Sequence, residues 1–222
     1  MDIIACQLPT YDELTAEQIE KINACSHIVR YKKDNIIFRQ DMPTSHILFV
    51  RKGLVKIHKE SYNGKNYIFK LATPNNFIGL LSFFYKNLFQ YSASSLSECE
   101  IVYTDLNIFK DIIKENGSYS LHIMRLLSED GLTIFDKLIN MSQKQVPGRI
   151  AELLLLFSQK IYNSNTFELP VTRQELAEFV STTKESISRT LTEFKNDKLI
   201  EIEDKKITLK SPELIQVLSK IG

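Results

Sequence analysis

The chain has 222 residues, 43% of them apolar, with 28 Lys plus Arg against 27 Asp plus Glu and a formal net charge of +1. That is enough apolar material for one large core or two ordinary ones, so a globular protein is expected. The charge balance removes the simplest case for a polyanion partner or a membrane surface.

The longest apolar stretches, such as Leu153 to Phe157, fall short of the roughly 18 to 20 residues a membrane span needs. Met1-Asp2-Ile3-Ile4 lacks the basic start of a signal peptide, and a soluble cytoplasmic protein is expected. Cys6, Cys25 and Cys99 are an odd number with no close pair, which supports neither a disulfide framework nor a zinc site. They read as free thiols packed as small hydrophobes.

From Tyr11 to Ala24, Leu14, Ile19 and Ile22 recur near helical spacing and predict a short helix. From about Ile28 to Tyr103 the runs become short and β-rich, at Ile36 to Phe38, Ile47 to Arg51, Leu54 to His58 and Tyr67 to Leu71. Asn63-Gly64 is a type I′ hairpin signal and Gly53 marks another tight reversal, so an antiparallel roll is predicted. After Asp105 the pattern is helical to about Val146, with Ile123, Leu127, Ile134, Leu138 and Met141 near a 3-4 repeat. One long helix over about 105–146 follows, which either packs back on its own β domain or pairs with its twin in a dimer; the dimer is the preferred reading. Asp130 and Gly131 interrupt that stripe. Pro147-Gly148 gives a break, and the next helix carries Ile150, Leu153, Leu154, Phe157 and Ile161 on one face. The chain therefore divides near Gln145 to Gly148 into a roll with its long helix, 1–146, and a second domain, 147–222.

Val171 to Leu209 reads helix, sharp turn, helix, then two short strands around Glu203-Asp204, the pattern of a winged helix-turn-helix. Thr172-Arg173-Gln174-Glu175 and Thr182-Thr183-Lys184-Glu185 each match the capping box. The first helix carries Leu176, Ala177 and Val180 inward and ends by Ser181; the second buries Ile187, Leu191 and Phe194. At 100° per residue, Glu185, Ser188, Arg189, Thr192 and Asn196 lie opposite Ile187. In a DNA-binding version of the motif, arginine there pairs with guanine O6 and N7 and glutamate accepts from cytosine N4, which suits Glu185, Ser188 and Arg189 as base readers. The same residues also fit a solvated face, with Glu185 closing the cap and Arg189 paired to Glu185 or Glu193.

These stretches resemble the bacterial Crp/Fnr transcription regulators over essentially the whole chain. The resemblance is strongest at Val171-Thr172-Arg173-Gln174-Glu175-Leu176-Ala177 and Lys184-Glu185-Ser186-Ile187-Ser188-Arg189-Thr190-Leu191. It extends to Gly53, Asn63-Gly64 and Phe77-Ile78-Gly79 in the sensor roll. It implies an α+β fold: an N-terminal antiparallel β-roll like a cyclic-nucleotide-binding domain, a long dimerisation helix and a C-terminal winged helix-turn-helix. It implies that 1–146 is the effector-sensing part with the dimerisation helix. It implies that Glu185, Ser188 and Arg189 are the base-reading trio of the Fnr-like branch, whose half-sites resemble TTGA, on a palindrome read by a homodimer. Arg173, Thr183 and Lys184 become candidate phosphate contacts. RNA polymerase and a small-molecule effector of unknown identity are the further partners implied, and no membrane. One departure is Ser181, where the family often has glycine in the turn.

From Pro147 onward there are eleven Lys plus Arg and eleven Asp plus Glu. A positive patch there must come from distribution, with Lys184, Arg189, Lys195 and Lys198 on or near one helix. In the cyclic-nucleotide branch a glutamate after the cassette glycine holds ribose and an arginine before Ser-Ala holds phosphate. Those positions are Leu80 and Tyr91 here. Neither does that chemistry, which argues against cAMP or cGMP in the usual cassette. Three cysteines in other places argue against the iron-sulfur cluster of the oxygen-sensing branch. Haem is left open, with His27, His46, His58 and His122 as ligands to consider. The stretch Phe77 to Tyr91, with Phe83, Phe84, Tyr85 and Phe89, either lines an effector pocket or fills the roll as core; the pocket residues would be Phe77, Gly79, Leu80, Leu81, Tyr91 and Ser92. With no His-x-His group, phosphate loop or nucleophile elbow, no enzyme is expected. The competing reading is a ligand-sensing scaffold, for haem among others, whose winged helix contacts protein instead of DNA.

Overall fold

The computed structural model describes residues 13–221; Met1-Asp2-Ile3-Ile4, Cys6 and Tyr11 lie outside the described residues. The chain divides into two compact units. One runs to Ser61 and from Ile68 to Thr133; the other comprises Tyr62–Tyr67 and the chain from Ile134.

The first unit begins with α1 (Ala16–Ala24), opened by a capping box in which the Thr15 hydroxyl accepts from the Gln18 amide and the Gln18 side chain accepts from Thr15 N. Strands follow at β1 (Ser26–Tyr31), β2 (Ile36–Phe38), β3 (His46–Lys52), β4 (Val55–Glu60), β5 (Asn66–Ala72) and β6 (Phe77–Ile78). A short α2 (Leu80–Tyr85) leads to β7 (Ser92–Ser95) and β8 (Cys99–Asp105). Two four-stranded sheets result, ordered β1-β8-β3-β6 and β2-β7-β4-β5.

Successive side chains of a strand point to opposite faces, and β3 shows what this does. Leu48 and Val50 join residues of the second sheet, including Phe38, Val55, Ile57 and Ala93, in the roll interior. Ile47 and Phe49 face the other way, into a cluster with Ile22 of α1, Phe83 of α2 and Val102 of β8. A strand buried on both faces reads as an unbroken apolar run, as Ile47 to Val50 does.

Gly53 has φ +94° and no room for a side chain: a Cβ would lie 2.3 Å from the Glu98 carbonyl oxygen and 2.6 Å from Cys99 Sγ. The Asn63-Gly64 turn differs from the expected type I′, since only Gly64, at φ +75°, is left-handed and Asn63 is not. Cys25 is an exposed free thiol. Cys99 is buried, its Sγ against the Leu54 and Ser97 carbonyls at 3.3 and 3.4 Å, and burial pushes its pKa up.

The predicted single helix over about 105–146 is two helices, α3 (Leu106–Glu115) and α4 (Gly117–Gln143). The break is at Asn116, extended at φ −117° and ψ 98°. Its side chain makes the break: Oδ1 accepts from Tyr119 N at 3.0 Å, while Nδ2 donates to the Glu13 carbonyl at 2.7 Å and to Gln18 Oε1 at 2.9 Å. An asparagine amide that caps one helix and ties down another offers more than one continued backbone bond would.

The apolar stripe of α4 also lies elsewhere than predicted. Tyr119 and Ile123 are fully buried in the cluster with α1 and α3, and Leu126 and Leu127 pack against it. The exposed apolar side chains are Leu121, Met124, Leu132, Ile134, Phe135, Leu138 and Ile139. Leu121, Ser128 and Phe135 recur every seven residues, as do Met124, Gly131 and Leu138. Gly131 does not interrupt the helix, and Asp130 turns to the roll, where it ion-pairs with Lys70 of β5.

In the second unit, α5 (Val146–Leu155) starts with Pro147 in its first turn, so the proline opens this helix rather than separating it from the last. A π-helical turn (Leu156–Ile161) and β9 (Thr166–Glu168) follow. Next come α6 (Arg173–Val180), α7 (Lys184–Asn196), β10 (Ile200–Glu203), β11 (Lys206–Leu209) and α8 (Pro212–Ile221). The strands pair as β10-β11-β9, antiparallel throughout.

Replacing Asn116 with alanine removes one cap and two tethers at once. Urea unfolding should show a loss of about 1–3 kcal/mol without a change in m-value.

Candidate nucleic-acid interface

The geometry of the reader begins at its turn. Thr172 caps α6 with both halves of the capping box, the Glu175 carboxylate accepting from Thr172 N at 2.8 Å. Leu176, Ala177 and Val180 are buried as expected. The helix then ends at Ser181 in the left-handed conformation, φ 56° and ψ 58°. Thr182 N closes the turn on the Ala177 carbonyl at 3.0 Å.

That bond shifts the next cap. The box predicted at Thr182 and Glu185 does not form; Thr183 is the cap instead, accepting from Ser186 N at 3.2 Å. With the start moved by one residue, Glu185 falls in the first turn of α7, where its charge suits the helix dipole and its carboxylate is not spent on the cap. Ile187, Thr190, Leu191 and Phe194 are buried. Glu185, Ser188, Arg189, Thr192 and Asn196 are exposed on the other side.

Among the described residues neither Glu185 nor Arg189 makes a side-chain hydrogen bond or ion pair, so the alternative pairs of Arg189 with Glu185 or Glu193 are not formed. Ser188 Oγ donates to the Lys184 carbonyl at 3.0 Å, which fixes its rotamer and leaves its lone pairs outward. Thr192 does the same to the Ser188 carbonyl at 2.9 Å. The face therefore holds two acceptors, Glu185 and Ser188, and the Arg189 guanidinium, with Glu185 and Arg189 unpaired among the described residues.

The phosphate candidates differ from one another. Thr183 and Lys184 are exposed at the N-terminus of α7, and Thr183 is engaged as its cap. Arg173 is half-buried at the first position of α6; its Nη1 is buried with no acceptor among the described residues, and desolvation lowers its pKa.

The expected effector-pocket residues do not share one cavity wall. Phe77 and Leu80 are buried in the cluster on the helix side of the sheet, where Phe77 packs against Phe49 and Phe109. Leu81 is exposed. Gly79 is left-handed at φ +93°, and a Cβ there would meet the Phe89 ring at 2.9 Å. Tyr91 lies near Gly79 and Ser82, and burial, with Asp130 nearby, pushes its pKa up to about 12. The Ser92 hydroxyl accepts from Gln40 N at 3.0 Å. A buried leucine and an uncharged phenol do not fit a ribose and a phosphate.

The histidines fall in three places. His27 and His46 meet around Tyr103, with ring centroids 5.6 Å apart. His58 Nε2 bonds Ser94 Oγ at 2.9 Å, and His122 Nδ1 lies 3.8 Å from Glu13 Oε1.

A β-roll with a long helix and a winged helix-turn-helix defines a class of DNA-binding regulators. Residues 28–116 match the cyclic nucleotide-binding domain family and residues 148–218 the Crp-like helix-turn-helix domain. The chain belongs to the Crp/Fnr family of transcriptional regulators. It is 22% identical over 217 residues to the CRP-like cAMP-activated global transcriptional regulator of Mycobacterium tuberculosis, covering 96% of this chain and 97% of that one. It is 26% identical over 185 residues to the transcriptional activator protein FnrA of Stutzerimonas stutzeri, covering 80% and 74%. Among solved structures, a crp/fnr family regulator from Eubacterium rectale superposes with a TM-score of 0.81 at 18% identity, over 97% of this chain and 99% of the other. FixK2 from Bradyrhizobium japonicum gives 0.79 at 17% identity, over 87% and 96%. No helix among the described residues is long and apolar enough to cross a membrane.

A β-branched side chain tolerates the left-handed region worst, so Ser181→Val should lose about 1–2 kcal/mol in urea unfolding. Ser181→Gly should lose nothing.

Proposed function

We propose that this protein is a homodimeric transcriptional regulator that reads a palindrome of TTGA-like half-sites, with Glu185, Ser188 and Arg189 on base edges and Arg173, Thr183 and Lys184 on phosphates. The carrying observation is the first two turns of α7, where Glu185 and Arg189 stand exposed and unpaired on a helix whose other side is locked in the core. A solvated face would be expected to use that spacing for an internal ion pair. In a major groove the same pair reads cytosine N4 and guanine O6 and N7.

The dimer rests on α4. Leu121, Met124, Leu132, Phe135, Leu138 and Ile139 form an exposed apolar stripe, with Ser128 and Gly131 between them. A seam of period 3.5 is what two copies bury against each other, and the small pair lets the helices approach. A two-fold dimer then spaces its reader helices about one turn of DNA apart.

In this reading residues 1–146 sense and dimerise and 147–222 bind DNA, with RNA polymerase as the partner at a promoter. An effector at the roll must be recognised by chemistry other than a charged phosphate clamp, since Tyr91 stands at that position. Such an effector acts by preferring one arrangement of the dimer seam.

Fluorescence anisotropy with two inverted TTGA half-sites, against a scrambled duplex, tests the reader. Arg189→Ala should cost about 1–3 kcal/mol on the palindrome and remove the preference. Lys184→Ala should weaken both duplexes alike and reduce the salt slope by about 1. Equal binding of the wild type to both duplexes, with the dimer intact, would favour the scaffold reading. Phe135→Glu places a charge in the seam without touching the core, and sedimentation should show monomers that still melt cooperatively.

A further inference from the structure

The last turns of α4 pack within the second unit, and their contacts fall on one face. Lys137 Nζ lies 3.7 Å from the centroid of the Phe179 ring on α6. Asn140 Nδ2 and Lys144 Nζ reach the Glu152 carboxylate of α5 at 2.8 and 2.9 Å. Met141 Sδ accepts from Ser181 Oγ, in the turn before α7, at 3.6 Å. Residues 137, 140, 141 and 144 follow helical spacing, so one stripe holds both α5 and the turn of the reader. The opposite side of the same turns carries exposed Phe135, Leu138 and Ile139.

Lys137 is the costly member of this stripe. Burial drives its pKa down to about 8, with Glu152 opposing the shift. Glu152 also accepts from Lys144 and Asn140, Glu178 beside Phe179 accepts a hydrogen bond from Gln174 Nε2 at 3.2 Å, and Lys137 and Glu178 each have further partners. A methionine or leucine would fill the space without a desolvation penalty. What a cation adds is direction, because the attraction to an aromatic face falls off away from the ring axis.

We propose that Lys137 is a positioning residue for DNA binding, its ammonium on the Phe179 ring fixing α6, and through the Ser181 turn α7, to the segment of α4 that carries the dimer seam. The inference rests on the DNA-reading dimer proposed above. It gives that dimer a means of passing seam geometry to the readers: a rotation of α4 at Phe135 and Leu138 moves Lys137 on the other side of the same turn.

The sign of the pH effect separates this role from a merely structural one. A partly buried lysine with a depressed pKa binds its proton less well folded than unfolded, so stability contributed by Lys137 rises with pH between about 8 and its unfolded value of roughly 10.4. The ring contact is lost over the same range. DNA affinity should therefore fall while stability rises.

The experiment uses the full-length protein, its Lys137→Met and Lys137→Arg variants, and Phe179→Trp. Anisotropy on the palindromic duplex and urea unfolding are followed from about pH 7 to about pH 9.5. Wild-type affinity should drop about fivefold as pH rises through about 8. Lys137→Met should bind about fivefold more weakly at neutral pH and lack this step, and Lys137→Arg should bind like wild type throughout. The chain has no tryptophan, so Phe179→Trp supplies a single reporter whose emission should titrate near pH 8 and stop titrating when Lys137→Met is added.

If the indole does not titrate, the ring contact is absent and the proposal falls, whatever DNA does. If it titrates while Lys137→Met binds DNA like wild type at every pH, the contact is structural and the positioning role is overturned. If Arg189→Ala leaves the duplex preference unchanged, it is the base-reading assignment that fails.

Discussion

A helix of 27 residues with apolar side chains on two faces cannot satisfy both inside one chain. On α4, Tyr119 and Ile123 take the inward direction, packed with α1, α3 and β3. The apolar residues on the outward side are left exposed in the single chain, which is the basis of the proposed dimer. Lys70 to Asp130 ties the middle of this helix to the roll, and Lys137 to Lys144 ties its end to α5 and the reader turn. The helix thus has contacts with the roll at its middle and with α5 and the turn before α7 at its end.

In the reader, hydrogen bonds at two helix ends decide what the exposed face offers. Thr182 is used to close α6, so Thr183 caps α7 and Glu185 is released from capping. Had the helix begun one residue earlier, the glutamate would have turned back to its own cap. The left-handed Ser181 that enforces this costs on the order of 1 kcal/mol and is tolerated because buried Val180, Ile187 and Leu191 over-determine the turn.

The roll keeps the family's shape without its charged clamp. Gly79 is left-handed, the space where its Cβ would stand is taken by Phe89, itself stacked on Phe38 at 3.8 Å, and Tyr91 lies beside it.

Much was legible in the residues alone. The β-rich runs, the helical change after Asp105, the Thr172 capping box and the exposed polar face of α7 all rest on periodicity and local chemistry, which are properties of neighbouring residues. The break at Asn116 was not legible, because its partners Glu13 and Gln18 lie about a hundred residues away. Nor was the α4 stripe: a 3-4 repeat gives two possible faces when apolar residues occupy both, and only packing against the sheet buries one of them. The cap at Thr183 in place of Thr182, the clamp of Lys137 on Phe179 and the contact of Tyr91 with Gly79 belong to the same group. Sequence determined which elements form and which side chains are available to them, since propensity and pattern act over a few residues. Tertiary structure decided which face each helix spends inward and which polar groups stay free, since that depends on partners the chain brings together only on folding.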